Sequence, residues 1–517
     1  MTKIRILWAD DEITLLKPHI IFLEAKNYDV VAVTSGGEAL DLIEEERFDI
    51  VFLDGNMPGL SGLETLTKIK LISPSLPVIM ITKSEEESIM EEAIGAKISD
   101  YLIKPVNPNQ ILLTIKKHLD TARIVSDRTT IGYQQDFRNI GMSLHNNMDY
   151  EDWEEVYKKL IYWELELEKS EDNGMSEILN TQKEEANNLF ARFVEENYLD
   201  WLSNSEEAPP MSHNVFRDKV FPLIQKDDTT FLIVIDNLRL DQWQLLKPQI
   251  EEYFWVDKEE TYMSILPTTT QYARNALFAG LLPADIEKMY PKLWLNDEDE
   301  GGKNMHEPEL IANQLKRLGK DTRFSYNKVL NPNYGRKVVG DIPNQMNNAF
   351  NVIVYNFIDM LSHARTDTDI IKELAEDESA YRSLTLSWFE HSPLKEALKE
   401  IANRGGKVVI TTDHGSIKVK EPSKVVGDKT VNTNLRYKQG KNLTYESDDV
   451  LAITKPEMAR LPKVNVSQTF IFAKGATFFA YPNNFNHYVN YYKNTFQHGG
   501  ISMEEMMIPI IQLSPKK

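Results

Sequence analysis

Short apolar runs, many of them stopping at an acidic or imidazole side chain, punctuate this chain from end to end. In its first part, Ile4 to Ala9, Val30 to Val33, Ile50 to Leu53, Val78 to Ile81 and Tyr101 to Ile103 alternate with amphipathic stretches. That alternation predicts βα units around a parallel sheet. Open sheets of this kind bind ligands outside the carboxyl ends of their strands. Weight therefore falls on Asp10 and Asp11 after the first run, Asp54 after the third, Thr82 after the fourth and Lys104 after the fifth. Three carboxylates gathered at one edge repel each other unless a cation stands between them, and Mg2+ with oxygen ligands suits that need. Any one of these acids alone reads as a solvated turn former. Together with Thr82 and a Lys-Pro step they read as a phosphorylatable pocket.

The whole segment resembles the receiver domain of two-component response regulators. The match rests on the Asp10-Asp11 pair, on DGNMPGLSG from Asp54 with Met57, Pro58 and Gly62, and on Thr82, Tyr101 and Lys104-Pro105. The resemblance implies a flavodoxin-like fold with Asp54 as phosphoacceptor and Mg2+ held by Asp10, Asp11 and Asp54. It also implies Thr82 and Lys104 as contacts of the phosphoryl group and Tyr101 as the aromatic switch. A phosphoryl group adds charge that a hydroxyl and an ammonium can re-pair, which biases a two-state surface.

At 517 residues the chain is long enough for about three domains. Its 58 Lys and Arg against 79 Asp and Glu leave a net charge of -21, so no global basic field draws nucleic-acid phosphates. With no cysteine there is neither a thiol nucleophile nor a thiolate zinc site, and any metal must be held by His and carboxylates. The N-terminal MTKIRILWADDE lacks the form of a signal peptide. No stretch offers the roughly eighteen uninterrupted apolar residues of a membrane span. A cytoplasmic protein without a membrane partner is expected.

From about 121 to 208 the composition turns acidic and aromatic. Trp153, Val156, Tyr157, Leu160 and Ile161 recur at spacings of three and four, as do Ala186, Leu189, Phe190, Phe193 and Val194. Two amphipathic helices follow, with SEDNGMS as the turn between them. The segment reads as a small helical bundle linking two α/β domains, its Glu runs as solvated helix faces.

From about 209 to the end βα alternation returns. TTFLIVID places Asp236 just past a buried strand, and NVIVYNFID does so for Asp359, with His363 four residues on and so on the same helical face. GKVVITTDHG ends a third strand with Asp413 and His414, and NTFQHGG offers His498 beside two glycines. A lone histidine at a strand end is more often hydrogen-bonded structure than a ligand. Three Asp and three His in one domain are enough for two zinc ions, each keeping an open position. Two such ions roughly 3.5 to 4 Å apart can clamp the attacking and leaving oxygens of a phosphoryl displacement. Between Asp236 and Asp359, SILPTTTQYAR sets Thr268, Thr269 and Thr270 ahead of a helix start. Any of the three could supply the nucleophile or a helix cap.

The order Asp, Thr, Asp-x-x-x-His, Asp-His-Gly, His-Gly-Gly resembles the PglZ branch of the alkaline phosphatase superfamily, over about 231 to 508. The resemblance implies one zinc on Asp359, His363 and His498 and another on Asp236, Asp413 and His414, with Thr270 as nucleophile and Thr269 as the fallback. No counterpart of the diesterase phosphate-binding Asn is present in sequence, and Arg274 and Asn275 are the nearby candidates. The formylglycine precursor of sulfatases and a third-metal carboxylate set are also missing from the pattern, which favours diesters over monoesters. After Gly415 comes a locally basic stretch with Lys418, Lys420, Lys424, Arg436, Lys438 and Lys441. Arg436, Tyr437 and Lys438 are candidates to contact an oligonucleotide, against the plainer reading of a solvated hairpin or dimer contact.

The expected architecture is an α/β multidomain chain: a flavodoxin-like receiver (1–120), a helical bundle linker (121–208) and an alkaline-phosphatase-like α/β domain (209–517). That order resembles the response regulators associated with type IX protein secretion. It implies a cognate histidine kinase, a homodimer on phosphorylation and zinc-dependent cleavage of linear or cyclic oligonucleotides. The alternative from another class is a metal-stabilised binding module for a sigma factor or secretion component. Acetyl phosphate is expected to drive dimerisation of the wild type and not of Asp54→Ala. Identical size-exclusion profiles for the two treated proteins would contradict this.

Overall fold

A computed structural model of the chain describes residues 3–83, 97–169, 173–203, 206–225, 228–297, 299–320, 322–367, 377–427 and 432–516. The chain forms two compact units, Met1–Gly132 with Lys169–Asp172, and Tyr133–Glu168 with Asn173–Lys517.

In the first unit, β1 (Arg5–Ala9), β2 (Asp29–Val33), β3 (Ile50–Asp54), β4 (Val78–Thr82) and β5 (Asp100–Ile103) form one parallel sheet in the order β2-β1-β3-β4-β5. This is the flavodoxin-like order. The central strands β1, β3 and β4 are buried almost throughout because both of their faces are covered. Leu7, Ala9, Val51, Leu53 and Met80 pack on one side with Leu66 and Ile69 of the helix Gly62–Ile72. The intervening Ile6, Trp8, Ile50, Phe52, Ile79 and Ile81 pack on the other with Ile111 and Ile115. The order reverses between β1 and β3, which leaves a crevice at their carboxyl ends, where Asp10 and Asp54 stand. A Cβ on Gly62 would lie 2.3 Å from the Asp54 carbonyl oxygen, so only glycine lets this helix start so close to the strand end.

In the second unit, β6 (Thr230–Ile235), β7 (Phe254–Met263), β8 (Phe324–Val329), β9 (Phe350–Tyr355), β10 (Lys407–Thr411) and the C-terminal strand Met507–Pro515 make a mixed six-stranded sheet. Across it the order is β7, C-terminal strand, β10, β6, β9, β8. The last four run parallel, and the C-terminal strand is antiparallel to both β10 and β7. Central β6, bordered by two parallel strands, is buried along its whole length.

The helices Tyr150–Glu168 and Asn173–Trp201 fall at the predicted periodicities, and their apolar stripes do not close on each other alone. Trp153 meets Phe190 at 5.3 Å between ring centroids, and one continuous core runs on from these helices into the six-stranded sheet. Polar contacts fasten the same seam. The Tyr150 and Thr261 hydroxyls are 2.7 Å apart, and the Tyr198 hydroxyl accepts from the Leu266 N–H at 2.7 Å. Of the expected turn, residues 170–172 lie outside the described residues, and helix resumes at Asn173 although Gly174 follows. A glycine costs a helix only about 1 kcal/mol, less than the packing of so long a face returns. Leu160 is fully buried in the shared core. Leu160→Ala is expected to destabilise the second unit as a whole by about 2 to 5 kcal/mol, moving one calorimetric transition. A separate early transition for the helices would show that they form their own core.

Candidate functional site

At the first unit's crevice, Asp10 is fully buried and its Oδ1 accepts the Glu12 N–H at 2.8 Å. The Lys104 ammonium lies 2.8 Å from Asp10 Oδ2 and 3.0 Å from Asp54 Oδ2. Burial pushes the Asp54 carboxyl above its usual range; Lys104 pulls against this, and the charge of Asp10 adds to the rise. Asp10, Asp11 and Asp54 can each present an oxygen within 4.8 Å of the others, an all-oxygen set that fits a hard cation. Thr82 is buried at the end of β4 beside Gly55, whose Cβ would come within 3.0 Å of it. Tyr101, in β5, packs half-buried against the Leu7 and Met80 face of the core.

In the second unit the parallel strands deliver their ligand-type residues to one edge. Asp236 follows β6 directly, its N–H held by the Tyr355 carbonyl of β9 at 2.8 Å. Asp359 stands in the first turn of the helix after β9, one turn before His363, and Asp413 and His414 follow β10. His498 comes after the two-residue strand Phe496–Gln497. Two groups result, Asp236 with Asp413 and His414, and Asp359 with His363 and His498, each with potential ligand atoms within 4.8 Å of one another. His498 Nε2 is 3.5 Å from Asp359 Oδ1, and His363 Nε2 is 3.5 Å from Asp359 Oδ2. The His414 and His498 rings join the groups by stacking, with centroids 4.3 Å apart.

The donor set has the chemistry of a metal centre. His414 Nδ1 contacts the Gly415 carbonyl at 3.1 Å and His498 Nδ1 the Thr268 carbonyl at 3.2 Å, so each ring can turn a basic Nε2 to the site. Burial, and then the neighbouring His414, push the His498 imidazole well below its usual range and keep it neutral. Asp236 Oδ2, Asp359 Oδ1 and Asp413 Oδ2 are buried without a hydrogen-bond donor. Orphaned carboxylate oxygens converging in a buried site are costly unless a cation meets them. Burial, and then the charge of Asp236, push Asp359 up to about 7 and Asp413 up to about 6. Burial acts on Asp236 in the same direction, but Arg274 and His414 outweigh it and hold that carboxyl below its usual range.

The three threonines part ways. Thr270 places its hydroxyl 3.2 Å from His414 Nε2 and 3.4 Å from Asp236 Oδ1. Thr268 is committed to the backbone, donating to the Gly500 carbonyl at 2.9 Å and accepting from the Gly499 N–H at 3.0 Å. The Thr269 hydroxyl is buried without a partner.

Residues 215–513 match the BREX system PglZ alkaline phosphatase-like domain. The chain belongs to the PglZ family. Residues 123–202 match the PorX response regulator linker domain and residues 6–116 the response regulator receiver domain, which together make the architecture of PorX-like response regulators. The matched PglZ domain is alkaline phosphatase-like, and alkaline phosphatase-like domains and receiver domains generally use metal ions. Among curated relatives, the transcriptional regulatory protein ZraR of Escherichia coli O157:H7 is 31% identical over 27% of this chain and 32% of its own length. The alginate biosynthesis transcriptional regulatory protein AlgB of Pseudomonas putida is 32% identical over 23% of this chain and 27% of its own. The chain thus spans about a third or less of these relatives' length. A CheY-like receiver domain protein from Methanospirillum hungatei, solved as a crystal structure, is 33% identical over 23% of this chain and 95% of its own, with a TM-score of 0.23. Among the described residues no helix is long and apolar enough to cross a membrane.

Around the PglZ centre the remaining sequence candidates take other places. Arg274 is fully buried, its Nη1 2.9 Å from Asp236 Oδ2 without hydrogen-bond alignment and its Nε 2.8 Å from Glu307. Asn275 is buried as well, donating to the Lys303 carbonyl. Asn304, which sequence reading missed, bonds both the Thr270 carbonyl at 2.9 Å and Asn275 Oδ1 at 3.0 Å. Glu307, also missed, takes Arg274, Lys328 and the Tyr326 hydroxyl. Neither lies in a strand-end motif that spacing could single out. Of the basic stretch, residues 428–431 lie outside the described residues. Arg436 is turned inward and paired with Glu505 at 2.6 Å, and Tyr437 donates to Asp297 at 2.8 Å. Lys438 donates to the Asn432 carbonyl and covers the Tyr481 ring, with burial lowering its ammonium to about 7. These three side chains are engaged with partners inside the fold rather than lining an open groove.

Without metal, the folded chain keeps Asp359 and Asp413 protonated above their usual value of 3.8, up to about 7 and about 6. It therefore binds more protons than the unfolded chain in that window, and their contribution to stability is lost as pH rises through it. A divalent cation bound there would replace those protons. Chelation is expected to lower the melting temperature more at about pH 8 than at about pH 5, and an equal loss at both would contradict this.

Proposed function

We propose that a cognate histidine kinase phosphorylates this chain on Asp54, with Mg2+ held by Asp10, Asp11 and Asp54, and that the phosphorylated form pairs as a homodimer. We further infer that its PglZ domain is a zinc-dependent phosphodiesterase of the cytoplasm, acting on linear or cyclic oligonucleotides in the regulation of type IX secretion. The secretion link, the diester and the oligonucleotide rest on the resemblance to PorX-like regulators. The chemistry rests on one observation: the Thr270 hydroxyl stands within 3.4 Å of both Asp236 Oδ1 and His414 Nε2, inside one of two adjoining His and Asp groups. Three protein ligands of mixed nitrogen and oxygen type per ion suit zinc with an open position.

Bound at Asp236, Asp413 and His414 and at Asp359, His363 and His498, two zinc ions would supply Lewis acidity for the attacking and leaving oxygens. The rest falls to the chain. Asp236 Oδ1 and His414 Nε2 orient the Thr270 hydroxyl; with its proton passed to solvent, Thr270 Oγ bonds to phosphorus as the first ester oxygen departs and takes up a proton as an alcohol. Water then adds to the phosphothreonine, its oxygen staying on the phosphate while Thr270 regains its hydroxyl. Arg274 keeps positive charge beside Asp236 throughout, because burial alone would lower its guanidinium and the carboxylates around it outweigh that. Thr270→Ala is expected to cut turnover of an activated aryl phosphodiester by roughly 10³-fold or more with zinc content unchanged. A wild type fully loaded with zinc that turns over no diester would sink the enzymatic reading.

A further inference from the structure

Arg239 is three residues past Asp236 and fully buried, yet it touches nothing that reacts. Its guanidinium is instead the meeting point of the segments that carry the metal-ligand residues. Nη1 donates to the carbonyl of Ser416, two residues after His414, at 3.4 Å. The cation lies 5.3 Å from the centroid of the ring of Phe496, two residues before His498. It also lies 5.6 Å from the ring of Tyr381, which stacks on Phe496 at 4.1 Å and donates to the carbonyl of Ile358, next to Asp359, at 3.4 Å. Gly415 packs so closely here that a Cβ would lie 2.0 Å from the Glu504 carbonyl oxygen and 3.3 Å from Arg239 Cγ. Neither the loop nor the arginine stem has room to shift independently.

On its other side Arg239 faces the linker helix. Asp241 holds it in a forked pair, with Nε to Oδ1 at 2.9 Å, and Glu378 takes Nη2 at 2.6 Å. Asp241 Oδ2 also accepts Arg382 Nη1 at 2.9 Å. Arg382 in turn holds Glu164 and Glu168 of the helix Tyr150–Glu168, each at 2.8 Å. Forked, charge-assisted pairs in a buried setting are short and directional, so a displacement of one member reorients the next.

We propose that Arg239 is a positioning residue for the paired metal site, and that the linker helix acts on that site through the relay Glu164/Glu168–Arg382–Asp241–Arg239. Resting on the metal-centre reading of Asp236, Asp359, Asp413, His414 and His498, it names a route by which the helical linker sets that centre's geometry.

The test uses the full chain with Glu168→Gln, the double variant Glu164→Gln/Glu168→Gln, Arg239→Lys and their combination, with Tyr150→Phe as control. Tyr150 joins the same helix to the sheet through Thr261 but lies off the relay. Two quantities are read: amide hydrogen exchange in the segments 413–418 and 496–499, and zinc affinity by chelator competition. Expected are faster exchange in both segments and roughly tenfold weaker zinc in the double variant and in Arg239→Lys, the scale on which residues supporting metal ligands act. The combination should add little to either alone, Glu168→Gln should show a smaller effect in the same direction, and Tyr150→Phe should leave both quantities as in wild type. Wild-type exchange in the double variant would overturn the proposal, as would equal acceleration by Tyr150→Phe, which would mark general loosening. If wild type binds no zinc while the exchange pattern holds, the metal-centre reading fails and the relay stands; if zinc binds and exchange is unmoved, the relay alone fails.

Discussion

Three aspartates, Asp236 and Asp413 buried and Asp359 partly so, meet at the carboxyl edge of one sheet, near enough that the charge of Asp236 raises the carboxyls of the other two. Like charges held that close in a low-dielectric setting are tolerable only with compensating cations or bound protons. The neighbourhood is organised around that demand. Arg274 stands against Asp236, two imidazoles turn their Nε2 atoms inward, and three carboxylate oxygens have no hydrogen-bond donor.

The receiver meets a smaller version of the same problem differently. Asp10 and Asp54 share one ammonium, Lys104, across the crevice where the sheet order reverses. A single ammonium shared between two acids suits a site whose charge would change on the proposed phosphorylation. The PglZ centre instead has its counter-charge locked in place, since Arg274 is fixed from behind by Glu307. One site is built for a change of charge state, the other to hold its geometry.

The strands and the ligand-type residues at their ends were legible from the chain alone, because buried parallel strands read as unbroken apolar runs and ligands must follow them. The helical segment was legible too, through its three-and-four spacing. Its apparent independence was not, because an amphipathic stripe shows that a face is buried without saying against what; here Trp153 and Leu160 share a core with the six-stranded sheet. The basic run after Gly415 looked like a surface, yet Arg436 pairs with Glu505 inside the fold. Charge in a sequence carries no sign of whether a partner sixty-odd residues away will bury it.

Composition and order along the chain were enough to settle an acidic, cysteine-free chain of βα units flanking helices, with six Asp and His residues at strand ends and three adjacent threonines. These are local properties, set by periodicity and by residue chemistry. Which threonine faces the cluster, that Asn304 and Glu307 stand beside it, and that Arg239 gathers the ligand-bearing segments could be decided only by the folded chain. Each of those facts depends on contacts between residues far apart in sequence, made when the strands pair and the interior excludes every other arrangement.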